Sequence, residues 1–181
     1  MCMVHRILDA ATLTQAFERL DALVPAGAHL IICGGAAMVA AYVYTLATRD
    51  VDATTARGGL RLADLEPAAR VVARELDLEP DWLNPYFETY TGVLPSDYGD
   101  RLRPVFQGRQ LRVDALGPED LLVMKCFAGR DKDRAHARLL LRLAGDLCIV
   151  DRQISSLMDR GYPKARRAAD YFDDLRDEAE P

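Results

Sequence analysis

Residues 28–55 read AHLIICGGAAMVAAYVYTLATRDVDATT, and the other elements predicted for the chain are arranged around this stretch. A dense apolar run at residues 30–33 ends abruptly at Gly34 and Gly35, small apolar residues follow, and the stretch then reaches Arg49-Asp50-Val51-Asp52. Because a short apolar run bounded by glycines is typical of a buried strand, the order predicts a strand, a glycine turn, a helix and a second strand.

The second strand carries two carboxylates, Asp50 and Asp52. Side chains at positions i and i+2 of a strand share a face, so the two would lie about 6.5 Å apart on one side. That spacing suits one or two divalent cations. The glycine turn would expose backbone N–H groups at a helix N-terminus, where a phosphate binds readily. A glycine pair is often only a tight turn, and Asp-x-Asp is common on solvated strands, but their combination favours a functional site.

Residues 28–47 form twenty mostly apolar positions, which also raises the alternative of a membrane-spanning helix. The glycine pair, His29, the many alanines and a mean hydropathy of −0.09 argue against it. We therefore expect no membrane association.

The composition predicts a globular protein that lies in the cytoplasm. With 181 residues, the chain is long enough for one domain, or for a core with a small helical addition. Its net charge of −5 argues against a protein devoted entirely to nucleic acid. The four cysteines form no Cys-x-x-Cys pair, and Cys33 and Cys126 lie in apolar runs, which indicates buried, reduced thiols. The N-terminal residues lack the apolar segment of a signal peptide.

Periodicity and turn residues predict the other elements around the central unit. Amphipathic helices are expected at residues 12–24, with Thr12 in a capping box, and at residues 64–78, with Asp64 as N-cap. Strands at residues 102–106 and 111–115 flank a hairpin-like turn. In the second of these strands Asp114 lies on the face opposite the apolar residues. It is either a third carboxylate of the site or an exposed strand aspartate.

The remainder of the sequence is helical, beginning with the strong helix start at Gly117 and Pro118. Further helices are expected at residues 135–144 and 151–160, followed by a last helix that the segment 162–167 opens. Lys125 lies within a helix that is apolar almost all round, so its ammonium must reach solvent or meet an anion. That anion is a structural partner, a nucleotide phosphate or an active-site aspartate, and the sequence leaves these open.

Three arginines on the helix after residue 134 lie about one helical turn apart: Arg134, Arg138 and Arg142. They would face an RNA backbone or form an ordinary solvated helix face.

The motifs around these residues resemble those of a known protein superfamily. Gly34-Gly35, followed after a helix by Asp50-Val51-Asp52, resembles the active-site signature of the polymerase-β-like nucleotidyltransferase superfamily. Two downstream blocks, EDLLVMK at residues 119–125 and RDKD at residues 130–133, are similar to those of bacterial nucleotidyltransferase-like proteins related to the AbiEii-type toxins of toxin–antitoxin systems. The segment WLN at residues 82–84 resembles a largely uncharacterised branch of that group.

The resemblance implies a fold and a role for each matching residue. The expected fold is α/β, a small mixed sheet of the nucleotidyltransferase type flanked by helices. Residues 1–116 would form this core, and residues 117–181 a helical C-terminal part packed on it. An NTP would be the substrate, with Mg²⁺ or Mn²⁺ as the metal. The implied metal ligands and catalytic residues are Asp50, Asp52 and, if it completes the site, Asp114; the implied nucleotide-binding residues are Gly34, Gly35, Arg49, Lys125 and Arg130.

The function implied is transfer of a nucleoside monophosphate from an NTP to a hydroxyl of RNA, such as tRNA, or of a protein. The chain would then be the toxin of a toxin–antitoxin pair. Two departures favour an inactive alternative that acts by binding its toxin or antitoxin partner: Gly35 stands where many active members carry serine, and His136 stands near where related sequences often carry another acid. An aminoglycoside-modifying enzyme of the same fold is a third alternative.

Overall fold

The computed structural model describes residues 5–43, 47–56 and 58–179. The described residues form two compact units. The first comprises the chain up to Thr89 together with Leu102–Leu116, and the second comprises Tyr90–Arg101 together with the chain from Gly117 onward. The chain passes between the two units after Thr89, after Arg101 and after Leu116.

The first unit contains a five-stranded mixed sheet, which confirms the α/β class. Its strands are β1 (Ala28–Ile32), β2 (Val51–Thr55), β3 (Leu83–Asn84), β4 (Arg103–Gln107) and β5 (Leu111–Ala115), in the spatial order β3-β2-β1-β5-β4. The central strand β1 runs antiparallel to β2 and parallel to β5. β4 pairs with β5 as the predicted antiparallel hairpin, and β3, which was not predicted, runs parallel to β2.

The two faces of this sheet differ in chemistry. The register pairs Ile32 with Ala53 and with Ala115, so these residues share a face, and all three are fully buried. Three helices belong to the same unit: α1 (Ala10–Asp21), α2 (Gly34–Ala41) and α3 (Leu62–Leu76). The opposite face, here called the polar face, carries alternate residues of the same strands: His29 and Ile31 in β1, Asp52 and Thr54 in β2, and Arg112 and Asp114 in β5.

The stretch at residues 28–55 folds largely as its sequence predicts: β1 ends before the glycine pair, α2 begins at Gly34, and β2 contains Asp52. Asp50, which was predicted to lie in the same strand, instead directly precedes it, because β2 begins at Val51. Within the ranges that the structure describes, no helix is long and apolar enough to cross a membrane. Cys33 and Cys126 are buried, as predicted, and burial raises the pKa of the Cys126 thiol.

Two predicted helix caps were wrong by three residues. The N-cap of α1 is Asp9, whose carboxylate accepts the Thr12 amide at 2.7 Å, and this bond lowers the pKa of Asp9. In α3 the N-cap is Arg61, and Asp64 is the third helical residue, with its carboxylate accepting the Arg61 amide at 3.0 Å. An acid is favourable at the N-cap and at the third helical position, because from either one its carboxylate can accept a hydrogen bond from an unpaired backbone N–H group at the start of the helix.

The second unit is helical, as expected. It contains α4 (Pro118–Ala128), α5 (Arg134–Leu143), α6 (Leu147–Asp159) and α7 (Ala165–Asp177), with short 3₁₀ segments elsewhere. The central helix α4 packs against the other three and is buried along nearly its whole length. α6 begins four residues earlier than predicted, because Asp146 accepts the Cys148 amide at 2.9 Å and caps it.

A carboxylate at the end of α1 holds the hairpin turn of the first unit. Asp21 accepts the amides of Gln110 and Leu111 at 2.8 and 2.7 Å, and that of Arg109 at 3.1 Å. A Cβ atom at Gly108 would lie only 2.2 Å from the Asp21 Oδ1 atom. The turn therefore requires glycine at position 108.

We expect Gly108→Ala to lower Tm by at least about 3 °C, because the added methyl displaces the Asp21 carboxylate from the turn amides. Gly99→Ala is the matched control, since a Cβ there meets no atom within 4 Å. Differential scanning calorimetry measures both variants. Equal melting temperatures would contradict the close approach at Gly108.

Candidate functional site

The site is built where β1 ends and α2 begins. Gly34 is the first residue of α2 and has a positive φ of 62°. A Cβ atom there would lie 2.7 Å from the Asp52 Oδ2 atom, so only glycine allows this carboxylate to lie against the turn. The Cys33 amide donates to the Asp52 carbonyl at 2.9 Å, which fixes the two segments side by side.

Asp50 and Arg49 directly precede β2 and are exposed. The Asp50 carboxylate lies close to a hydroxyl, with Thr48 Oγ1 3.4 Å from Asp50 Oδ1. Gly35 follows Gly34 in α2 and faces the same threonine side chain. Five of the predicted site residues therefore lie on two short segments, one at the start of α2 and one at the start of β2: Gly34, Gly35, Arg49, Asp50 and Asp52.

Asp114 lies on the polar face but is bound elsewhere. The register pairs Ile31 with both Asp114 and Thr54, so β1 separates Asp114 from the strand that carries Asp52. The Asp114 side chain is fully buried, and its Oδ2 atom lies 2.7 Å from His29 Nε2 and accepts Arg112 Nε at 2.7 Å. Its Oδ1 atom is buried without a hydrogen-bond partner.

The three aspartates do not form a common metal cluster. Among residues 5–43, 47–56 and 58–179, no group of three or more His, Cys, Asp or Glu side chains is arranged to hold a metal ion. The physical reasons are the separation of β2 from β5, about 9.6 Å across two strand spacings, and the ion pairs that hold Asp114. His29 was not among the predicted site residues. His29 lies on the same face of β1 as Ile31. In the register of β1 with β5, His29 pairs with Arg112 and Ile31 pairs with Asp114, and this register places His29 beside Asp114.

Lys125 and Arg130 belong to the second unit, where both cations bind one carboxylate. The Lys125 ammonium donates to Asp133 Oδ1 at 2.9 Å, with both side chains buried, and Arg130 Nε donates to Asp133 Oδ2 at 2.7 Å. Burial alone would raise the pKa of Asp133, but the two cations outweigh it and the pKa is lowered. Of the three partners considered for Lys125, the structure shows the structural ion pair.

The acids that begin the first downstream motif also have structural partners. Asp120 is fully buried and accepts two bonds from the Arg101 guanidinium, at 3.0 and 2.8 Å; burial raises the pKa of Asp120 despite this cation. Glu119 accepts the amides of Gly145 and Asp146 at 2.7 and 3.3 Å, immediately before α6. Both acids therefore have structural contacts within the helical unit.

His136 and the arginine row lie in the same unit. His136 Nδ1 is 3.9 Å from Asp133 Oδ1, and burial, together with the Lys125 charge, lowers the pKa of the imidazole. Arg134 and Arg138 both bind Glu178, the C-cap of α7, whereas Arg142 is exposed. Two of the three guanidinium groups are thus paired within the protein.

The chemistry available at the start of α2 is that of phosphate and divalent-metal binding. Mg²⁺ is commonly held by one or two carboxylates together with substrate phosphates and water. Asp50 and Asp52 fit this requirement in their chemistry, because they supply two carboxylates, and the Asp52 Oδ2 atom lies so close to Gly34 that a Cβ atom there would be only 2.7 Å from it. The N–H groups of the first turn of α2 complete the arrangement with donors for a phosphate.

We expect Asp114→Asn to lower the free energy of unfolding by about 1–3 kcal/mol, because His29 and Arg112 lose the charged acceptor that they share. Asp159→Asn serves as an exposed control and should stay within about 0.5 kcal/mol of wild type. Urea unfolding measures both. An Asp114→Asn variant as stable as wild type would contradict the ion-pair assignment.

Lys125→Met should lower the free energy of unfolding by about 3 kcal/mol, since it leaves the buried Asp133 carboxylate with Arg130 alone. The double variant Lys125→Met/Asp133→Leu should be less destabilised than the single one, because it buries no unpaired charge. Urea unfolding again provides the measurement. A neutral Lys125→Met substitution that abolishes nucleotide binding would instead support a phosphate-binding lysine.

Comparison with known proteins places the chain in a family. Neither the curated proteins nor the solved structures gave a match. The family described as "Nucleotidyltransferase of unknown function (DUF6036)" matches residues 11–141, which is well over half of the chain. The match spans the glycine turn, the three aspartates and the Lys125–Asp133 pair. The chain therefore belongs to this nucleotidyltransferase family.

Proposed function

We propose that this protein transfers a nucleoside monophosphate from an NTP to a hydroxyl acceptor, using Asp50 and Asp52 to hold Mg²⁺ or Mn²⁺. The observation that carries the proposal is the contact between the Asp52 carboxylate and Gly34 at the start of α2, with Asp50 two residues earlier in the chain. Membership of a nucleotidyltransferase family supports the same reaction class.

Each group near the turn has a distinct task in this proposal. The backbone N–H groups at Gly34 and Gly35 bind phosphate oxygens, aided by the helix dipole. Arg49, which is exposed next to Asp50, neutralises further phosphate charge. Asp50 and Asp52 would hold the metal ion, which would supply Lewis-acid polarisation of the phosphate and positive charge for the pyrophosphate. Lys125 and Arg130 have no task here, because Asp133 binds both.

The reaction is an in-line substitution at phosphorus. The acceptor oxygen forms a bond to the α-phosphorus, the bond from that phosphorus to the bridging α–β oxygen breaks, and pyrophosphate departs. The acceptor proton is released to solvent or to a nearby base. We propose RNA, such as tRNA, or a protein side chain as the acceptor, and a toxin–antitoxin pair as the biological setting.

A second candidate function is that of a binding protein without catalysis, for example one partner of a toxin–antitoxin pair. The observation that favours it is the lack, within the described ranges, of a three-carboxylate metal cluster. The two candidates differ in a measurable way, since only the enzyme moves label from a nucleotide to an acceptor.

A label-transfer assay tests the proposal. The purified chain is incubated with each of four α-labelled NTPs, with Mg²⁺ or Mn²⁺, and with total cellular RNA and protein as acceptors. We expect label to enter one acceptor class with wild type, and transfer to fall at least 100-fold in Asp50→Asn and Asp52→Asn, because each removes a metal ligand.

Asp159→Asn is the matched control for charge and should transfer label as wild type does. Melting curves with and without NTP and metal are recorded in parallel. If the wild type neither transfers label nor melts at a higher temperature with NTP and metal, the catalytic proposal is wrong and the binding-protein candidate stands.

A further inference from the structure

Thr48 lies between the glycine turn and the first carboxylate. A Cβ atom at Gly35 would be 2.6 Å from Thr48 Oγ1 and 3.0 Å from Thr48 Cβ. The same hydroxyl lies 3.3 Å from the Asp50 carbonyl oxygen and 3.4 Å from Asp50 Oδ1. One small side chain therefore contacts both segments that form the candidate site.

The backbone of Thr48 is itself fixed. Its amide donates to the Leu8 carbonyl at 3.0 Å, and the Leu8 amide donates to the Thr48 carbonyl at 2.8 Å. Leu8 is fully buried, so this short antiparallel bridge anchors Thr48 to the core of the first unit. The backbone that carries the Thr48 hydroxyl is therefore held in place, although the next two residues of the chain, Arg49 and Asp50, are exposed.

We propose that Thr48 is a positioning residue of the nucleotide site, whose side chain packs on Gly35 and whose hydroxyl orients Asp50. This inference rests on the proposed function and deepens it. An exposed aspartate has several accessible side-chain rotamers, and holding it in one lowers the entropic cost of binding a cation. The hydroxyl has one proton, which it donates to either oxygen of Asp50 that lies within reach.

The arrangement also explains why position 35 carries glycine. The space above its Cα atom is already filled by the Thr48 side chain, so a serine there would displace that side chain. A hydroxyl is nevertheless present at the turn, because Thr48 supplies one from the neighbouring segment. Glycine in place of serine at position 35 therefore still leaves a hydroxyl group at the turn.

The decisive variants separate the hydroxyl from the shape of the side chain. Thr48→Val keeps the shape and removes the hydroxyl, whereas Thr48→Ser keeps the hydroxyl. We expect Thr48→Val to weaken Mn²⁺ binding in the presence of a non-hydrolysable NTP analogue by about 10- to 100-fold, as is usual when a residue that orients a metal ligand is lost. Thr48→Ser should retain most of the wild-type affinity.

Thr14→Val is the matched control, because Thr14 is exposed on α1 and its hydroxyl bonds only to the Ala10 carbonyl at 3.0 Å. Electron paramagnetic resonance measures bound Mn²⁺ without any need for turnover. Equal Mn²⁺ affinity in Thr48→Val and wild type would overturn the role of Thr48 and leave the proposed function standing. Wild type that binds no Mn²⁺ with the NTP analogue would overturn both.

The packing half of the inference is tested by stability, independently of nucleotide. Gly35→Ala should lower Tm in the wild-type background and much less in a Thr48→Gly background, because the second substitution removes the side chain that the new methyl meets. Equal losses of Tm in both backgrounds would show that Thr48 does not fill the space above Gly35. Thermal melts of the four proteins provide the comparison.

Discussion

The first unit depends on the close approach between Gly34 and the Asp52 carboxylate. This approach follows from the antiparallel pairing of β1 with β2, whose last bond joins the Cys33 amide to the Asp52 carbonyl. Because that bond sets the position of β2 along β1, the carboxylate can only lie against the residue after Cys33. A side chain at that residue would occupy the place of the Asp52 Oδ2 atom. The pairing of the two strands therefore both brings the Asp52 carboxylate to the turn and requires glycine at position 34.

In the helical unit, several charged residues of the two downstream motifs bind partners within the protein. Its buried acids each have a partner within the unit: Asp120 binds Arg101, Asp133 binds Lys125 and Arg130, and Glu119 accepts two amides before α6. Ion pairs that are this buried add little net stability compared with apolar packing, but losing one partner is costly. Apart from the bond between Asp133 and Arg130, each of these contacts joins α4 to a segment that lies between the α-helices, since Arg101, Asp133 and the amides of Gly145 and Asp146 all lie outside them.

The sequence identified those elements whose signals are local. The strand, turn and helix at residues 28–41 follow from an apolar run, two glycines and small residues, all within fourteen positions. The caps of α1 and α3 were placed incorrectly because threonine and aspartate, the residues predicted there, occur both at the N-cap and within the first turn of a helix. The partners of Asp114 could not be predicted in the same way, since His29 is 85 residues distant and only the register of β1 and β5 brings it near. For Lys125, the sequence indicated that an anion was required but not which one.

Under the proposed function, a site with two carboxylates rather than three affects how the metal ion and the nucleotide bind. Mg²⁺ favours six oxygen ligands and releases its water reluctantly, so Asp50 and Asp52 alone leave most of its coordination to other groups. Phosphate oxygens of the nucleotide are the natural source of these ligands, and the N–H groups of α2 hold the same phosphates. Metal and nucleotide would then bind as one unit, each supplying contacts that the other lacks. Affinity for the metal alone would be low, and orientation of Asp50 by Thr48 would matter most when the nucleotide arrives.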